Sequence, residues 1–162
     1  MRRKDREVTD FNKIVEIINK CEVIRIGLAD GDFPYIVPLN FSYEVQGNHI
    51  DFYIHGAMAG RKYELLQKNM KCSFELDNPL KMDYLYDCHD ITMRYESVMG
   101  TANIEFIKDE DKEAVMQEKI LSRYKEASEF SWNKAALSRC AIVKISVIDI
   151  IAKVNPIKGS AD

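Results

Sequence analysis

The chain has 162 residues and a mass of 18.7 kDa, with 46% hydrophobic and 30% charged residues but only 7 Gly and 4 Pro, which excludes a disordered or collagen-like polymer. A formal net charge of -3 gives no basic footprint for nucleic acid. One domain over residues 1–162 is expected, large enough for a continuous core. No apolar run reaches 18 residues, and no signal-like apolar core follows the basic start, so a cytoplasmic protein that does not enter a membrane is expected. The four cysteines (Cys21, Cys72, Cys88, Cys140) form no Cys-x-x-Cys pair and read as reduced thiols, buried by default.

Residues 1–8 form a charged arm. Thr9 or Asp10 then caps a helix whose apolar positions Phe11, Ile14, Val15, Ile17, Ile18 and Cys21 recur at helical spacing. Val23, Ile24, Ile26 and Leu28 read as a strand, and Asp30-Gly31-Asp32 as the turn of a hairpin into Tyr35–Val45, where Pro38 marks an edge or bulge. Gln46-Gly47-Asn48 closes a second hairpin into a strand ending at His55. A helix to Asn69 leads to a strand ending at Asp77, and the aperiodic stretch Asn78–Asp90, with Pro79, reads as a loop.

A long strand follows from Ile91 to Phe106, with Gly100 permitting a bend. Asp109–Glu126 reads as an exposed amphipathic helix, Ser131–Leu137 as a short helix holding Trp132, and Ala141–Val154 as a terminal strand ending near Pro156. About six antiparallel strands with flanking helices make the chain mainly β and favour a small barrel, because the connections are too short for parallel crossovers.

The stretch Asp51–Asn69 is the chemical centre of this reading. A strand ending at His55 passes through Gly56, Ala57 and Gly60 into a helix opened by Arg61 and Lys62. Free N–H groups and the positive dipole end of a helix favour an anion, and the two cations add formal charge, so the block fits a phosphate cradle; a surface turn with two solvated cations is the alternative. His55 is either a switchable group facing a ligand or a hydrogen-bonded residue of the barrel rim. His49 beside its turn reads as solvated. His89, flanked by Asp87, Cys88 and Asp90, offers metal-ligand types, but adjacent residues rarely converge on one ion, so a polar loop and no metal is expected. No nucleophile triad pattern, Gly-x-Gly-x-x-Gly or Walker loop is present, which points away from hydrolases and kinases and toward a protein whose cofactor supplies the chemistry.

Four blocks, Met1–Glu7, Pro34–Asn40, His55-Gly56-Ala57 with Gly60-Arg61-Lys62, and Tyr95–Gly100, appear in the order found in the nitroimidazole-resistance (Nim-type) branch of the pyridoxamine 5′-phosphate oxidase-like flavoproteins, which the chain resembles. The resemblance implies a split β-barrel, usually a homodimer, with FMN in a groove at the subunit interface. It implies that Arg61 and Lys62 hold the FMN phosphate and that Pro38, Leu39 and Asn40 run beside the isoalloxazine. His55, Gly56 and Ala57 would lie nearer the ring, and Ser97 and Val98 would approach from a neighbouring strand, across the dimer. Where relatives end the last strand with Gly-Lys this chain has Ala152-Lys153, so no role carries over to Lys153. Two functions follow: an FMN-dependent oxidoreductase that reduces a small organic acceptor such as a nitroaromatic, with His55 catalytic and NAD(P)H or a reductase as donor, or a flavin- or haem-binding storage or sensing protein, with His55 as axial-ligand candidate.

Overall fold

The computed structural model describes residues 3–86, 89–124 and 133–155. Eight strands share one antiparallel sheet: β1 (Glu7–Val8), β2 (Ile24–Leu28), β3 (Tyr35–Leu39), β4 (Ser42–Gln46), β5 (His49–Ala57), β6 (Lys71–Leu85), β7 (Asp90–Phe106) and β8 (Cys140–Asn155). The hydrogen-bonded order is β3-β2-β6-β7-β8-β5-β4, with β1 added to β8. β3 and β4 stand at opposite ends of that order, yet only Asn40 and Phe41 separate them in the chain. Three Cα steps span at most about 11 Å, so the sheet has to curl until its two edges nearly meet without pairing. That is a split barrel, as the resemblance implies, and mainly β with antiparallel strands, as the strand pattern implies.

Alternation along the strands fills the interior. Phe41, Phe52, Phe74, Ile24, Ile26, Leu76, Val98 and Ile145 all point inward and are almost wholly buried. The Phe52 ring meets Phe41 and Phe74 edge-on, with centroids 5.7 and 5.1 Å apart. Helix α1 (Phe11–Lys20) adds Ile14, Ile17 and Ile18 to this core. Its N-cap is Asp10, whose Oδ1 accepts from the Lys13 N–H at 3.1 Å. Gly100 is required where it stands, because a Cβ there would lie 2.1 Å from the Asp149 carbonyl oxygen and 2.6 Å from the Phe74 ring. The bend expected near it is a register shift between Thr101 and Ala102.

Four sequence expectations change. Six expected strands become eight, because β1 forms and because Tyr35–Val45 breaks at Asn40–Phe41 into two edge strands. Of the stretch Asn78–Asp90, Asn78–Leu85 is not a loop: it continues β6, paired with β7 from Asp90 to Glu96, and a bulge at Leu80 accounts for the lost periodicity. Asp109–Glu126 is not one exposed helix. Its described part is a 3₁₀ turn, a single α turn α3 (Lys112–Val115), a π turn over Met116–Ile120 and a further 3₁₀ turn, with Met116 and Ile120 buried against Tyr53 and Ile142. The proposed Ser131–Leu137 helix is reduced, within the described residues, to α4 (Lys134–Leu137); Trp132, Cys88 and Pro156 lie outside them.

Candidate functional site

The curl of the sheet brings together residues that are far apart in strand order. Pro38 and Leu39 on β3, Asn40 after it, Val23 before β2 and His55 near the end of β5 line one cavity of about 290 Å³. β3 pairs with β2 along one edge, and no described strand pairs with the other, so backbone groups there remain available to a ligand. Pro38, opposite Arg25 on β2, sits on this edge strand, where its missing N–H costs no central ladder bond.

β5 pairs with the start of β8, setting His55 opposite Ile142 and Ala57 opposite Cys140. The Cys140 sulfur lies 4.0 Å from His55 Nδ1. Behind His55 the chain turns at Gly60, with φ of 86°, into helix α2 (Arg61–Asn69), whose N-terminus carries no side-chain cap. Lys62 folds back over Gly56: its Nζ would stand 2.4 Å from any Cβ there, so a glycine at 56 is what lets the ammonium reach this position. His55, Gly56, Ala57, Lys62 and Tyr63 therefore share one cleft. His55 is an exposed residue, yet the atoms packed around it, and secondarily the Lys62 charge, lower its pKa below the ordinary histidine value. A neutral imidazole beside a lysine ammonium and an open helix N-terminus can accept or relay a proton next to a bound anion.

Arg61 is placed differently from Lys62. Its Nε donates to Asp30 Oδ2 at 2.6 Å and a second guanidinium nitrogen pairs with the same oxygen, so Arg61 ties the β2–β3 turn to α2. Asp30 was readable only as a turn residue, because nothing in local sequence joins it to a position 31 residues on. Cys140 and Val23 were missed for the same reason. His49 is exposed beside its turn, as expected, and its Nε2 lies 3.0 Å from Asp51 Oδ1, to which Ser146 Oγ donates at 2.5 Å.

Ser97 and Val98 do not join the cavity within one protomer. Val98 points into the core at 0% exposure. Ser97 pairs with Lys153, whereas His55 pairs with Ile142, and the eleven residue steps from Ile142 to Lys153 along β8 separate the two points by something on the order of 30 Å. Among the described residues no group of three or more His, Cys, Asp or Glu side chains gathers around a common point, and His89 stands exposed in a turn with φ of 50°. None of the described helices is long and apolar enough to cross a membrane.

The split barrel and the junction of β5 with α2 agree with what comparison finds: residues 10–154 match the family model described as pyridoxamine 5′-phosphate oxidase. The chain belongs to that family. Among solved structures it is similar to a protein of Bacteroides thetaiotaomicron provisionally assigned to 5-nitroimidazole antibiotic resistance, at 29% identity and a TM-score of 0.77 over 91% of this chain and 86% of that one. It shares its fold with the flavocytochrome Anf3 of Azotobacter vinelandii (16% identity, TM-score 0.81, covering 100% and 75% of the two chains) and with a FAD- and haem-binding protein of Mycobacterium smegmatis (14%, 0.79, 97% and 76%). No curated protein matches it.

Family membership raises the question of whether a flavin fits these residues, and the donor set answers it. The outer backbone groups of an edge strand would suit the polar rim of a planar ring, and an uncapped helix N-terminus with Lys62 lying over Gly56 would suit a phosphate.

Proposed function

We propose that the protein is an FMN-dependent oxidoreductase that acts as a homodimer and reduces a small organic acceptor, with a nitroaromatic as the nearest model compound and NAD(P)H or a partner reductase as electron source. The observation that carries this reading is the meeting of the β3 edge, His55 and the Lys62-bearing start of α2 at one end of the barrel. Bound FMN would supply the electrons; everything else is the work of this chain. Lys62 and the N–H groups opening α2 would hold the phosphate, with Arg61 contributing when it turns from Asp30 or through the turn it braces. The backbone of Pro38, Leu39 and Asn40 would hydrogen-bond the ring edge, and Gly56 and Ala57 would let the ring approach β5. His55 would place a proton donor or acceptor beside the acceptor molecule.

The dimer reading draws support from the separation of Ser97 from His55, taken with the resemblance that sets Ser97 beside the cofactor. The Ser97 hydroxyl of one copy can take part in the site only by reaching the cavity of another copy, and Val98 would contribute backbone alone. The likeness to a nitroimidazole-resistance protein supports the acceptor class, and the flavin named for two fold neighbours supports the cofactor class. An absorption spectrum after incubation with FMN and gel filtration tests the proposal. Flavin bands that co-elute with the protein, together with FMN-dependent reduction of a nitroaromatic, are expected. A Soret band after haem addition with no retained flavin would replace it with the haem-binding reading.

A further inference from the structure

The β2–β3 ladder ends with Ile24 opposite Leu39. The next residue on each chain, Val23 and Asn40, lines the cavity that His55 also lines. Just beyond, at Cys21 and Phe41, a side chain from a third segment joins the two chains again. Arg123 closes the 3₁₀ turn Leu121–Arg123, and one of its guanidinium nitrogens donates to the Cys21 carbonyl at 2.6 Å. Its Cζ stands 4.4 Å from the centroid of the Phe41 ring and 5.3 Å from that of Tyr43. Two residues further along each chain, the Tyr43 hydroxyl donates to Asn19 Oδ1 at 3.2 Å, so the seam between α1 and the start of β4 is stitched from the cavity outward.

The link that Arg123 grips lacks a ladder of its own. Asn40 and Phe41 join two edge strands, β3 and β4, that do not pair with each other, so strand hydrogen bonding does not fix the Asn40 backbone. Phe41 supplies the anchor instead. Its ring is buried in the core with its centroid 5.7 Å from that of Phe52, and its carbonyl accepts from the Tyr124 hydroxyl at 3.3 Å. Three side chains of the segment from Lys119 to Tyr124 reach β4 and its lead-in: Lys119 pairs with Glu44 at 2.6 Å, Tyr124 bonds Phe41, and Arg123 lies over the Phe41 and Tyr43 rings. Of the three, only Arg123 also bonds the carbonyl of the link that carries Val23.

We propose that Arg123 is a positioning residue for the flavin ring: by fastening Phe41 to Cys21 it sets the width of the cavity mouth and the place of the Asn40 backbone. The inference rests on the FMN reading above and adds to it a residue that acts through Asn40 and Val23. A backbone group gives its full worth to a ligand only when it is already held where the ligand needs it, because ordering it on binding is subtracted from the affinity. The phosphate cradle at the start of α2 is built from other elements, so the consequence is selective. Loss of Arg123 weakens FMN and riboflavin alike, the reverse of the pattern expected for loss of Arg61 and Lys62.

Fluorescence titration of the full-length chain with FMN and with riboflavin tests this. Arg123→Met keeps the length of the side chain but neither its donors nor its plane, and is expected to weaken both ligands by the same factor, at least about tenfold. Lys119→Met removes the Glu44 ion pair from the same segment and is expected to leave both affinities within about twofold, as for other partly exposed pairs. In the protein without flavin, hydrogen exchange read by mass spectrometry is expected to be at least about tenfold faster over residues 21–24 and 39–43 in Arg123→Met than in Lys119→Met, with β7 unchanged.

Equal effects of the two variants on binding and exchange would overturn the proposal, leaving Arg123 as one of several contacts that hold the segment. A loss confined to FMN would overturn it by moving Arg123 to the phosphate. Should Arg123→Met not fold, Arg123→Lys keeps the charge but cannot lie flat over the rings; it is expected to weaken both flavins about threefold, and wild-type affinity for both would overturn the proposal. Wild-type protein that binds neither flavin would remove the FMN reading and this role with it, whereas normal binding by both wild type and Arg123→Met would overturn this role alone.

Discussion

The outward face of β8 meets two different fates along one strand. At its start, Ile142 is wholly buried beneath Met116, Ile120 and Leu137, which the helical segment after β7 and the turn α4 lay across it. Past Ser146 the described residues supply no such cover, and Ile148 and Ile151 stand 58 and 39% exposed. The residue types are the same, and the bulge at Ile148 only moves the outward positions from even to odd numbers. The difference lies in what the chain supplies to cover them, and it shows that an apolar position in a strand pattern means burial by this protomer only where the topology brings a covering element.

The largest effect that would sharpen this contrast is expected from truncating the two ends separately. Met116→Ala should lower the free energy of unfolding by about 2–5 kcal/mol, as for other large-to-small changes in a packed site. Ile151→Ala in dilute protein should cost less than about 1 kcal/mol, because the side chain it removes is still partly in water. Urea denaturation of both variants measures the two, and equal losses would break the comparison.

Function should also divide between the ends. His55 belongs to the covered end, so His55→Ala is expected to keep FMN while nitroaromatic reduction falls by about tenfold to a thousandfold, the range for loss of a positioned proton donor. An unchanged rate with flavin intact would return His55 to a role in the rim. For the phosphate cradle, Arg61→Ala combined with Lys62→Ala should weaken FMN at least about tenfold, the loss of charge-assisted hydrogen bonds, and leave riboflavin nearly unaffected because it has no phosphate. Fluorescence titration with both ligands measures the difference, and equal losses would count against the assignment. Lys62→Ala alone should account for most of it, since Arg61 is held by Asp30.

The smallest effect expected is on pH. Because the folded protein lowers the His55 pKa through desolvation and the Lys62 charge, the unfolded chain takes up its proton first as pH falls through about 6.5. Stability from this group is therefore complete above that pH and declines below it as the folded imidazole is forced to charge. His55→Gln should narrow the difference in Tm between pH 8 and pH 5, and an unaltered difference would show that His55 is not the group responsible.

Much was legible from sequence where the interaction is local. α1 and its Asp10 cap, the hairpins at Asp30-Gly31-Asp32 and Gln46-Gly47-Asn48, and the passage from β5 through Gly60 into α2 follow from periodicity, turn chemistry and backbone freedom, which operate over a few residues. The pairing of β6 with β7 past Pro79 was not legible, because one bulged residue breaks the period on which strand recognition depends, and Pro79 reinforces the appearance of a loop. The order of the four family blocks carried the family itself, which no single block specifies.

What only the tertiary structure decided are the pairings that cross the sheet. Arg61 with Asp30, His55 with Cys140, the distance of Ser97 from His55 and the single cavity shared by Pro38, Asn40 and His55 all depend on a sheet that curls until β3 and β4 approach each other. Side-chain alternation states which residues share a face but not which distant face they will meet. That is settled by the register and twist of the whole sheet, a property of all its strands together, and so it is absent from any one stretch of the chain.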